Sequence, residues 1–182
     1  MDEDEEPHRR RLRRIEHLGH VRFLTFSCYR RLPLFGNDAI KQVFVDRLAK
    51  VCGEQSVRLL AWVVMPEHVH LLAYPPIESS LDRFTHALKR PLAERVIDRW
   101  RELDAPILSR IRHGEGSRFW QTGGGYDRNI FSEAEFVEKF DYIHNNPVER
   151  GLAACPTDYA WSSARWFAGL PDCKLPCDTL PD

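Results

Sequence analysis

Met65-Pro66-Glu67-His68-Val69-His70-Leu71-Leu72 sets two histidines one residue apart inside an apolar run. Side chains alternate faces along an extended strand, so His68 and His70 point one way while Val69 and Leu71 point the other. Two imidazoles on one face of a rigid strand can hold a single divalent metal without reorganisation. Taken alone, the pattern equally describes one histidine packed in a core and one at a surface. A third ligand and a reactive group elsewhere in the chain would separate the two readings.

The flanking sequence gives the histidine strand its partners. Val57 to Met65 is apolar enough for a central strand, and Pro66-Glu67 makes a tight corner, so the strand from His68 to about Tyr74 forms an antiparallel hairpin with it. His20 to Tyr29, rich in β-branched and aromatic residues, reads as an earlier strand. After Pro33 and Gly36-Asn37-Asp38, Asp38 is placed to cap a helix to about Cys52, ended by Gly53. Ser79-Ser80-Leu81-Asp82 opens a second helix, which Pro91 should kink or split near Arg90. Phe119-Trp120-Gln121 reads as the start of a further strand, and Gly123-Gly124-Gly125 as a turn before Tyr126 to Ile130. No Gly-x-x-x-x-Gly-Lys pattern accompanies those glycines, so a nucleotide P-loop is not indicated. Ser132 with Glu135 opens a last long helix to about Asn146, with Pro147 ending it or lying just past its last turn. The resulting order suits an α+β fold, an antiparallel sheet with helices packed on one face.

Composition bounds the function class. The chain has 182 residues, 43% apolar and 29% charged, which fits one globular domain. The expected division is a charged arm over residues 1–17, a domain over 18–168 and an irregular tail over 169–182. No apolar run reaches the roughly 20 residues that span a bilayer. The acidic Met1 to Glu6 segment lacks the order of a signal peptide, so a cytoplasmic location is expected. Five scattered cysteines argue against a disulfide framework. The net charge of −1 hides local basic sets: Arg9-Arg10-Arg11-Leu12-Arg13-Arg14, then Arg30 and Arg31, then Lys89, Arg90, Arg118 and Arg128. Such residues line either a solvated helix face or a surface that tracks phosphates. Trp120 and Tyr126 stand as stacking candidates for unpaired bases, with core packing the alternative for Trp120.

The second half of the site lies near residue 142. At about 100° per residue, Phe136, Phe140 and Ile143 fall in one narrow arc, the core stripe of the last long helix. Tyr142 stands roughly 100–160° away, and Asn146, one turn on, projects within about 40° of it. His68, His70 and the Asn146 amide oxygen would give three ligands with open positions, suited to Mg²⁺ or Mn²⁺ bound jointly with a substrate phosphate. Tyr142, one turn before a ligand, would then be placed as a nucleophile. A half-buried tyrosine beside a helix-ending asparagine is the alternative.

The chain resembles the single-tyrosine HUH endonucleases, the small insertion-sequence transposases, and most of all their REP-associated tyrosine transposase branch. The resemblance rests on Met-Pro-Glu-His-Val-His-Leu-Leu, Phe119-Trp120-Gln121, Tyr142-Ile143-His144-Asn145-Asn146-Pro147-Val148-Glu149-Arg150-Gly151-Leu152 and Trp161-Ser162-Ser163-Ala164, and spans roughly residues 20–168. It implies a ferredoxin- or RRM-like sheet with the histidines on a central strand. It also implies metal-dependent cleavage and rejoining of single-stranded DNA through a 5′-phosphotyrosine, at hairpin sequences of the nucleoid. By position, His68 and His70 match the metal pair, Tyr142 the nucleophile and Asn146 the third ligand. Glu67 departs from the family pattern, and its side chain is expected to point away from the metal face. Glu149 stands where a basic residue is common. His144 is expected to serve structure or DNA contact, outside the chemistry. Monomer and homodimer both remain compatible with the sequence, as do a hairpin-binding protein without turnover and a water-using phosphoesterase.

Overall fold

The computed structural model describes residues 20–123 and 125–180, so the arm expected over residues 1–17 lies outside the described residues. Within them, β1 (Arg22–Ser27) leads to α1 (Asp38–Gln55), then β2 (Arg58–Val64) and β3 (His68–Tyr74). There follow α2 (Leu81–Glu102), a short α3 (Ile107–Arg110) and a small ribbon of β4 (Arg112–His113) and β5 (Gly116–Ser117). β6 (Tyr126–Asn129), α4 (Glu133–Glu149) and α5 (Ala164–Phe167) complete the order.

β1, β2, β3 and β6 form one antiparallel sheet in the order β2-β3-β1-β6, so the histidine strand is central. Its register sets His70 opposite Thr25 on one side and Val63 on the other, and His68 opposite Ser27. With Phe23 and Leu72 these residues share one face, and Leu24, Phe26, Trp62, Val69 and Leu71 share the other. α1 and α2 cover the second face. There Phe44 of α1 meets Phe35 and Trp120, and Trp120 in turn meets Phe26. α4 lies against the first face, the one that carries the histidines. β6 is tied to β1 by a buried pair in which Arg22 donates to both carboxylate oxygens of Asp127, at 3.0 and 2.5 Å.

Several local expectations are corrected. Asn37, rather than Asp38, caps α1: its Oδ1 accepts from the Ala39 N–H at 2.8 Å. α1 runs past Gly53 to Gln55, and Ser56 closes it in the left-handed region at φ 53°. α2 is continuous through Pro91. A proline at 91 removes the N–H that the Ala87 carbonyl would accept. That carbonyl instead accepts from Arg47 Nε of α1 at 2.9 Å, so the helix keeps a satisfied backbone and gains a tie to its neighbour. Pro147 lies inside α4 rather than at its end. Phe119-Trp120-Gln121 makes only an isolated bridge, Trp120 to Cys28. Trp120 is buried and donates to the Lys89 carbonyl, which settles it as a core residue.

The outer edge of β2 is covered. Ser162 bridges Val63, Val64 N–H donates to the Trp161 carbonyl, and Ser163 N–H donates to the Trp62 carbonyl. Further along, Asp178 and Leu59 exchange two bonds, so the sheet offers no free β2 edge for intermolecular pairing there.

Gly125 fixes how closely β6 approaches β1. Its φ is +56°, and a Cβ at this position would stand 2.0 Å from the Thr25 carbonyl oxygen. Gly125→Ala is therefore expected to destabilise the fold by at least about 2 kcal/mol, read as a lowered urea midpoint. An unchanged midpoint would contradict this close approach.

Candidate nucleic-acid cleavage site

The site begins with the two imidazoles that β3 aligns. His68 and His70 are 4% and 5% exposed, with ring centroids 4.5 Å apart. His70 Nδ1 is bonded to Thr25 Oγ1 at 2.8 Å, and His68 Nδ1 to Glu67 Oε1 at 3.2 Å. With Nδ1 engaged in each ring, Nε2 is the nitrogen left for a ligand. Burial holds both rings neutral. His70 is pushed down to about 3, by burial first and then by the neighbouring His68 and Arg31 charges. His68 is also lowered by burial, against the opposing pull of the Glu67 carboxylate. A neutral imidazole is the form that binds metal.

α4 brings the second half. Ser132 Oγ accepts from the Glu135 N–H, as the capping sequence requires. The Tyr142 ring meets His70 edge-on at 5.2 Å and Phe23 at 6.0 Å, while the side chain stays 39% exposed. The tyrosine and the histidine pair thus meet within one chain. Two turns further along α4, Arg150 Nη2 donates to Glu67 Oε1 at 2.5 Å. Residues four apart stack along one face of a helix. Tyr142 reaches His70 and Arg150 reaches the carboxylate beside His68, so the intervening turn, which carries Asn146, faces the histidine pair. Asn146 is buried, and its Oδ1 has no hydrogen-bond partner. A buried amide oxygen without a donor is costly unless a ligand completes it.

These residues fit a divalent cation: two neutral imidazoles with a free nitrogen each, and an orphaned amide oxygen on the facing helix. Among the described residues, no three His, Cys, Asp or Glu side chains gather into a metal cluster. The orphaned Asn146 amide oxygen is the candidate for a third protein donor.

Glu67 corrects the sequence reading. It does not point away: it is buried, bonds His68 and pairs with Arg150. A carboxylate behind a ligating imidazole fixes its tautomer and raises its basicity. Glu67→Gln is expected to lower Mn²⁺ affinity about 10- to 100-fold in a calorimetric titration. Unchanged affinity would show that the carboxylate serves only the Arg150 pair. Thr25 was equally unmarked in the sequence, since nothing local signals that its hydroxyl lies across the sheet from His70. His144 is structural, its Nε2 bonded to Ser163 Oγ at 2.7 Å and its ring packed on Phe140.

Among the basic residues singled out from Arg30 onward, Arg90 and Arg118 line one surface cleft together with Trp120 and Gln121. Arg30 and Arg31 are exposed just past the end of β1, both in the left-handed region at φ 53° and 52°. The Arg30 N–H donates to Gln121 Oε1, and Arg118, in the same connection, bonds Thr122. Lys89 sets its amine over the Phe26 and Trp120 rings, and Arg90 pairs with Glu94 on the surface of α2. Arg128 stands on β6 and pairs with Glu135.

Residues 17–146 match the family model for IS200-like transposases. The chain belongs to the IS200-like transposase family. No curated protein sequence matches it. Among solved structures, it is similar to a REP-associated tyrosine transposase bound to a REP hairpin, at 21% identity and a TM-score of 0.64, covering 93% of each chain. That likeness shows a shared fold, the four-stranded antiparallel sheet with its helices. A second structure, from Deinococcus radiodurans R1 and provisionally described as a transposase, shares 22% identity at a TM-score of 0.48, covering 72% of this chain and 94% of that one. No helix among the described residues is long and apolar enough to cross a membrane.

Proposed function

We propose that this transposase-family chain nicks and rejoins single-stranded DNA through a 5′-phosphotyrosine on Tyr142, at sites next to a hairpin. The observation that carries the reading is the exposed Tyr142 ring, set edge-on to a buried, neutral histidine pair of the same chain. An exposed nucleophile beside buried ligands lets a flexible strand reach both.

His68, His70 and Asn146 would hold Mg²⁺ or Mn²⁺. A cation held there would polarise the phosphodiester and favour loss of the phenol proton. Tyr142 Oη forms a bond to phosphorus, and the bond from phosphorus to the 3′ oxygen breaks. The phenol gives up one proton and the leaving 3′ oxygen takes one, so a free 3′ hydroxyl results with no net proton change. The phosphotyrosine keeps the phosphodiester energy, and attack by a 3′ hydroxyl reverses the step. α4 supplies orientation: the Tyr142 ring contacts Phe23 on the sheet, and the Lys139 amine lies 6.0 Å from its centroid. Such fixed geometry converts an encounter into a positioned attack.

The similar solved structure holds a REP hairpin. By analogy of fold, a hairpin with a single-stranded flank is the substrate class proposed for this chain, with the DNA bound at the nucleoid in the cytoplasm. The test incubates labelled hairpin oligonucleotides, taken from the flanks of its own gene, with the protein and Mn²⁺. A denaturing gel should show a protein–DNA adduct that chelator prevents. Cleavage with a 5′ phosphate and no adduct would favour water as the nucleophile instead.

A further inference from the structure

Tyr126 is a large aromatic left 45% exposed on β6, the outermost strand of the sheet on the side away from β2. Exposure alone means little, but this side chain is held still. Its ring meets Phe23 edge-on at 6.0 Å, and Arg128, two residues along β6, pairs with Glu135 of α4. The short backbone approach at Gly125 fixes the strand just before it. Phe23 also contacts His70 at 5.4 Å and Tyr142 at 6.0 Å, so one buried ring separates Tyr126 from the nucleophile. An exposed, oriented aromatic face one ring away from the reactive hydroxyl is a place for a base to stack. The other stacking candidate, Trp120, is buried in the core and unavailable.

We propose that Tyr126 is a positioning residue that stacks the unpaired base adjoining the scissile phosphate, fixing which phosphodiester reaches Tyr142. The proposal rests on the strand-nicking reading for its substrate, yet it is tested by binding alone. Base–aromatic stacking tolerates any base, so Tyr126 would set the register of the strand rather than its sequence. Phe23 meets the ring from within the sheet, and nearly half of the side chain stays exposed for a base.

The test measures binding to a hairpin oligonucleotide with a single-stranded flank, by fluorescence anisotropy. The protein carries Tyr142→Phe so that no cleavage intervenes. Adding Tyr126→Ala should weaken binding about tenfold, and Tyr126→Trp should restore it. An abasic nucleotide is then moved along the flank. At one position it should cost the Tyr126 protein about tenfold and the Tyr126→Ala protein nothing further. That non-additive result, at a position next to the cleaved bond, identifies the stacked base. Losses that add at every position, or a Tyr126→Ala protein that binds as tightly as its parent, would overturn the proposal. Coupling without any adduct from the wild type would leave the stacking intact and sink the cleavage reading.

Discussion

Tyr142→Phe should abolish the covalent protein–DNA adduct while leaving hairpin binding within about twofold. The substitution removes one hydroxyl from a ring that packs on Phe23 and His70, so the fold and those contacts persist. Loss of a nucleophile that acts within a catalytic unit costs on the order of 10⁴-fold or more in rate. The comparison of binding with joining separates chemistry from recognition. A Tyr142→Phe protein that still formed an adduct would remove the nucleophile from the account. One that still cleaved, without adduct, would transfer the attack to water.

His70→Ala should lower the joining rate roughly 10³-fold, equivalent to about 4 kcal/mol of lost stabilisation of the developing charge. His70 contacts Thr25 through Nδ1, Phe23 by stacking, and the Tyr142 and His68 rings edge-on. The alanine leaves a buried cavity between them, and some loss of stability will accompany the loss of metal binding. His70→Gln fills more of that space and keeps a polar atom. Both variants should lose Mn²⁺ affinity in calorimetry, whereas only the alanine should show a large fall in the urea midpoint. Full joining activity in His70→Gln at low Mn²⁺ would contradict the assignment of His70 as a ligand.

The parts of the site legible in the sequence were those that follow from local periodicity. His68 and His70 share a face because β3 is a regular strand, and Tyr142 and Asn146 share a face because α4 is a regular helix. Glu67 escaped the same reasoning because it sits in the corner before β3 begins, where strand alternation does not apply. Its carboxylate turns back to His68 and meets Arg150, a residue 83 positions away. Thr25 and Gly125 escaped for a related reason. Each acts through a contact made only when distant strands pair, Thr25 with His70 and Gly125 with the Thr25 carbonyl. Pro91 reads as a break in α2, but Arg47 from another helix satisfies the carbonyl that the proline leaves without its usual donor. Likewise the aromatic Phe119-Trp120 pair looked like a strand because strands and cores favour the same side chains. Its role is to fill the space beside α1.

The most direct test of the central claim is the chemical identity of the linkage. The wild-type adduct formed with Mn²⁺ would be digested with nuclease and trypsin and sequenced by tandem mass spectrometry. Cleavage after Lys139 and Arg150 releases the peptide from Phe140 to Arg150. The account predicts that this peptide carries a nucleotide 5′ phosphate on Tyr142, and that the released DNA ends in a 3′ hydroxyl. A nucleotide on any other residue, or a 3′ phosphate on the released strand, would contradict it.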